Sequence, residues 1–140
     1  MPLGEVLGEV VAKVTSVRYS DLGGGQTKAE IDATGEAKGR APGHVAGTFT
    51  IIRSGSDPAR PASWTYSGRS FLASGATASV SGQGLCVRTG EGHKIRFRGT
   101  MCGTTDDPKL AAELNNMIAA VEIEADPITR TMTGANCVWK

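Results

Sequence analysis

The sequence is poor in the residues that most catalytic and metal-binding chemistry uses. It has two histidines and three cysteines in 140 residues, and aromatic residues make up 5%. It contains no Cys-x-x-Cys, no His-Glu-x-x-His, no phosphate loop and no Gly-x-Ser-x-Gly elbow. No metal site and no cofactor is therefore expected. Excess charge of either sign is also missing, with 15 Lys and Arg against 14 Asp and Glu. Bulk electrostatics give no reason for nucleic acid, an anionic membrane surface or an acidic substrate as partner. No segment approaches the roughly 20 apolar residues of a membrane span. The amino end, Met1-Pro2-Leu3-Gly4-Glu5, lacks the basic and apolar regions of a secretory signal. Cys86, Cys102 and Cys137 are odd in number and far apart, so free thiols in a reducing cytoplasm are expected.

Glycine is what the sequence has in excess. There are 19, about twice the usual share of roughly 7%. They are scattered through alternating segments, which points to bends, bulges and close backbone approach within strands. From Lys28 to Gly39, polar Lys28, Glu30, Asp32, Thr34, Glu36 and Lys38 alternate with Ala29, Ile31, Ala33, Gly35, Ala37 and Gly39. Such period-two alternation marks a strand with one wet face and one buried face. A turn at Ala41-Pro42-Gly43 leads into Val45, Gly47, Phe49 and Ile51, which places Gly35 opposite Phe49 and Ala37 opposite Gly47. Ser54 to Ala62 is a loop, and Ser63 to Ala73 is a strand with Trp64 and Tyr66 on one face. A second hairpin joins Ala76–Arg88 to His93–Cys102 through Gly90-Glu91, with Arg88 opposite His93. Its inner face carries Val80, Cys86, Ile95, Phe97 and Met101.

One helix is expected from Pro108 to Ala120, capped by Asp107, with Leu110, Leu114, Met117 and Ile118 on one face. The first strand places Val6, Gly8, Val10, Ala12 and Val14 inside. Leu7 and Val11 then form an outer apolar row, to be covered by the helix or by a second subunit in a homodimer or higher homo-oligomer. Residues 1–140 read as one all-β domain, an antiparallel barrel of about eight strands with a single late helix, because glycine-rich strands coil readily and closure removes edges.

The candidate site residues follow from that barrel. Arg88 and His93 fall on the inner side next to the Gly90-Glu91 turn, where an apolar interior would meet its first polar groups. Trp64 and Tyr66 form a wall, and Phe49, Phe97 and Met101 are the remaining candidate ligand contacts. Lys94, Arg96 and Arg98 make a basic stripe on the outer face, read as solvated and paired with acidic neighbours. No catalytic residue is singled out.

With its alternating, glycine-punctuated strands from Ile31 to Met101, the chain resembles the small eight-stranded barrels of the calycin-like and allene oxide cyclase-like type. These include fatty-acid carriers, dirigent-type proteins and small cyclases. The lipocalin Gly-x-Trp near the start has no counterpart here, since Trp64 and Trp139 stand elsewhere. What the resemblance implies is an apolar cavity within the barrel and frequent self-association. The leading expectation for function is binding of a small lipophilic molecule in that cavity. The alternatives are a cyclase or isomerase acting on a lipophilic substrate in the same place, and a solid structural or interaction barrel without a ligand.

Overall fold

A computed structural model describes residues 3–57, 60–90, 92–115 and 118–139. The described residues form β1 (Leu3–Gly23), β2 (Gln26–Gly39), β3 (Gly43–Ser54), β4 (Ala62–Leu72), β5 (Thr77–Arg88), β6 (Ile95–Thr105), α1 (Pro108–Leu114), β7 (Ile118–Asp126) and β8 (Thr131–Trp139). Each strand pairs antiparallel with the next, and β8 pairs with β1 to close the barrel. Closure satisfies both edges of every strand, as the expected class requires. None of the described helices is long and apolar enough to cross a membrane. Up-and-down order gives the barrel two distinct ends. The β2–β3 and β4–β5 turns and the α1 connection lie at one, here called the helix end. The β1–β2, β3–β4, β5–β6 and β7–β8 connections lie at the other, the far end.

Both expected hairpins exist, with shifted registers. In β2–β3, Phe49 faces Ile31, and Gly35 faces Val45 rather than Phe49. In β5–β6, Arg88 pairs with Ile95 and Cys102 with Ser81, so His93 belongs to the loop instead of facing Arg88. Thr89 N–H donates to Lys94 O at 2.9 Å and closes a longer loop than the two-residue turn expected at Gly90-Glu91. Glu91 itself lies outside the described residues. Each shift is an even number of residues. The inward and outward sets therefore survive, because side chains alternate with period two.

A β-bulge corrects the first strand. The β1–β8 register slips between Leu3 and Val6 and again between Val6 and Gly8. The pleat reverses there, so Leu7 turns into the core while Val6 is 52% exposed. The outer apolar row of Leu7 and Val11 is therefore not continuous. Val11 alone stays outside, 63% exposed. A further slip, in the β1–β2 register between Val14 and Ser16, moves Val17 to the inner side, where it packs against the core.

The helix is shorter than its apolar spacing suggests. Asp107 caps it by accepting from Lys109 N–H at 2.9 Å, and Pro108 opens it. Asn115 ends it, its side-chain oxygen accepting from Thr105 N–H of β6 at 2.9 Å. Ile118, Ala119 and Ala120 leave the helical face and pair with Cys102, Met101 and Thr100. Leu110 is half-buried, whereas Met117 and the side chain of Leu114 lie outside the described residues. On the outer face, Glu122 takes Arg98 at 3.3 Å and Arg96 at 3.8 Å, which pairs two of the three cations of the basic stripe.

Candidate functional site

The interior divides into a solid half and a hollow half. The solid half is aromatic. Phe49 stacks at 4.9 Å from Phe97 and 5.7 Å from Trp64, and Trp64 meets Phe97 edge-on at 5.8 Å. Trp64 is 1% exposed and Phe97 0%. A buried indole needs a partner for its N–H. Trp64 Nε1 finds two, donating to Leu85 O at 2.9 Å and Arg98 O at 3.2 Å. Those carbonyls belong to the stretch where Gly84 of β5 pairs with Gly99 of β6. A Cβ on Gly84 would collide with Arg98 O, and one on Gly99 with Gln83 O. Glycine there lets the two strands bend around the indole.

Above this plug, toward the helix end, lies a cavity of about 210 Å³. Its floor is Phe49, Met101, Ile123 and Met132, and its walls include Leu7, Val10, Val45, Leu72 and Val80. Tyr66 joins the two halves. Its ring stands 4.6 Å from Phe49 and leans over the directly paired Gly47 and Gly68. A Cβ on either glycine would collide with the Tyr66 hydroxyl, so the hydroxyl lies level with that pair, facing the cavity. Tyr66 Oη makes no hydrogen bond to any described residue. Burial raises its pKa above the ordinary phenolic value.

Two more uncharged polar side chains reach the cavity, Ser70 of β4 and Asn136 of β8. Three strands lie between β4 and β8 on either side of the closed order, so these groups lie on opposite walls. Charge is confined to the mouth. Glu9 and Lys38 are exposed members of β1 and β2, and Arg40 sits in the β2–β3 turn. The Arg40 guanidinium is 2.6 Å from the Glu5 carboxylate.

The seven residues expected from the sequence therefore separate into three groups. Phe49, Tyr66 and Met101 line the cavity together. Trp64 and Phe97 pack beneath it, in the solid half. Arg88 and His93 are exposed at the far end, away from the cavity and from one another's strand register. Arg88 bends back on its own loop, its Nε donating to Gly92 O at 2.9 Å. The inward parity assigned to Arg88 is right, but the last fully buried layer of this hairpin is Cys86 and Phe97. A long cationic side chain one step beyond it reaches water. A second recess of about 180 Å³ does open at the far end, but Tyr19, Ile51, Arg53, Ile95 and Pro127 shape it. Cys86 lies between the two ends, 1% exposed. Its thiol is pushed up by burial, with Arg53 partly opposing.

Ser70, Asn136 and Leu7 are not among the site residues expected from the sequence. Asn136 had a usable signal, since it continues the inner set of Met132 and Gly134 on the last strand. Ser70 likewise follows Tyr66 and Gly68 at alternate positions. Leu7 had none, because a bulge reversed its face. Among the described residues no group of three His, Cys, Asp or Glu side chains could hold a metal ion.

No protein-family model and no curated protein matches the sequence. Solved structures do share the fold. A protein of unknown function from Clostridium acetobutylicum superposes with a TM-score of 0.79 at 15% identity, over 96% of each chain. A beta-barrel like protein from Acinetobacter baumannii gives 0.75 at 16%, over 100% of this chain and 98% of that one. A conserved protein of unknown function from Rhodopseudomonas palustris gives 0.73 at 17%, over 98% and 96%. At these identities the likeness is one of fold.

Proposed function

We propose that this barrel binds a small lipophilic molecule in the cavity at its helix end, in the manner of the calycin-like and allene oxide cyclase-like barrels it resembles. The observation that carries the reading is a half-hollow core. A protein interior is ordinarily close-packed, with few voids larger than a water molecule. Here about 210 Å³ stays open above a tightly packed aromatic plug. An apolar recess of that size holds its lining against water, and a guest of matching shape replaces that water with dispersion contacts. The small side chains Ala12, Ala33 and Ala37 border the space, so the sequence itself withholds the bulk that would fill it.

Native mass spectrometry of freshly purified protein tests the reading and reports subunit number at the same time. The expected result is one retained or added apolar molecule per chain. Val45→Trp, which puts an indole into the cavity from β3, should abolish that uptake while the far-ultraviolet β signature persists. Protein that neither retains nor takes up any apolar molecule would reject the reading.

A further inference from the structure

Given a guest in that cavity, its polar chemistry follows from the lining. No buried side-chain nitrogen or oxygen among the described residues lacks a hydrogen-bond partner, so a hydroxyl without one is open to the cavity. The Tyr66 hydroxyl has none among the described residues, and Gly47 and Gly68 give up their side chains to let it reach the cavity. Ser70 follows on the same face of the same strand, nearer the mouth. A polar head on the β4 wall would therefore meet hydroxyl groups that both donate and accept.

Charge on the guest is disfavoured by the same lining. The polar side chains of the inner wall, Tyr66, Ser70 and Asn136, are neutral. Of the two cations at the mouth, Arg40 is engaged by Glu5 on the rim, and Lys38 stands exposed on β2 directly across from Glu9. A carboxylate drawn down to Tyr66 would lose its hydration without gaining a cation, a cost of several kcal/mol. Size narrows the class further. A dry cavity of about 150 Å³ holds a benzene molecule, so about 210 Å³ suits somewhat more than one ring.

We propose that the guest is an uncharged molecule of about two fused rings' bulk whose single hydroxyl or carbonyl group hydrogen-bonds to Tyr66. This rests on the cavity-binding reading above. It replaces the far-end polar contact that Arg88 and His93 suggested in the sequence.

Three matched probes test it on the full chain by calorimetric titration at neutral pH: naphthalene, 2-naphthol and 2-naphthoate. Naphthol should bind about fivefold more tightly than naphthalene, the worth of one neutral hydrogen bond. Naphthoate should bind at least about 100-fold more weakly than naphthol. Tyr66→Phe should erase the preference for naphthol and leave naphthalene affinity within about twofold. Its melting temperature should hold, because the hydroxyl has no protein partner to lose. Equal binding of naphthalene and naphthol, or a naphthol preference that survives Tyr66→Phe, would overturn this inference and leave the cavity reading standing. Naphthoate binding best would overturn it in favour of an anionic guest. Failure of all three probes would overturn both.

Discussion

At the scale of single residues, the glycines act by the room they leave. Gly84 is set against the Arg98 carbonyl, which belongs to a sheet ladder and cannot rotate away. Gly84→Ala should therefore destabilise the barrel by about 1–3 kcal/mol, the usual range for overpacking. Urea unfolding would measure it as a lower midpoint with an unchanged slope. Cysteine reactivity should be graded by burial in the same way. Cys102 is exposed, Cys137 half-buried and Cys86 nearly inaccessible, with its thiol pushed up by burial. A thiol reagent on native protein should modify Cys102 first and Cys86 last. Denatured, non-reduced protein should titrate all three, and a count of one would mean that a disulfide had formed.

Asp32 adds a pH-dependent residue. Hydrogen bonds from Arg18 at 2.6 Å and Thr48 at 2.7 Å hold its carboxylate below the ordinary value. A depressed folded-state pKa gives stability that is present above the unfolded value near 4 and lost as pH falls through the folded one. The pair is partly exposed, with the Arg18 side chain at 49%, so solvent screening leaves it only a small contribution. Asp32→Asn should lower the melting temperature slightly at pH 7. It should make no difference to it once the pH is below the folded-state value, where the wild-type carboxyl is also neutral.

At the scale of elements, two local devices decide how the strands meet the cavity. The bulge near Leu7 supplies one wall by turning a leucine inward where simple alternation places it outside. The cap at Asp107 fixes where β6 ends and α1 begins, and Ser74 of the β4–β5 turn donates to the same carboxylate at 3.0 Å. Asp107 is thus shared between the helix and a turn at the mouth of the cavity. Asp107→Ala should cost about 1 kcal/mol or somewhat more, since a cap and a second hydrogen bond are lost together. Hydrogen exchange should show the loss concentrated in α1 and the β4–β5 turn, with the far end unchanged.

For the whole molecule, closure and the division of the interior act together. The aromatic half supplies the densest packing, and the hollow half is relieved of that task. Trp64→Phe would leave the Leu85 and Arg98 carbonyls without the indole donor. It should cost about 1–3 kcal/mol, lowering the unfolding midpoint while the β signature stays. A comparable truncation at the mouth, such as Val45→Ala, borders space already open and should cost less. The order of these two losses reports which half of the barrel holds the fold.

The sequence by itself determined the class, the strands and their two faces, because alternation with period two is a local property that survives any even slip in register. It also determined the Asp107 cap and the neutral, motif-poor character of the chain. Phe49, Tyr66 and Met101 could be assigned to the interior on the same grounds. Only the tertiary structure decided which end of the barrel holds the cavity beside Tyr66. That depends on how eight inner faces fill a common volume, and no single strand carries that information. It also decided the fate of Leu7, Arg88 and His93. A bulge, a longer loop and the depth of the last core layer arise from pairing between strands, and each of them overrode what parity alone assigned.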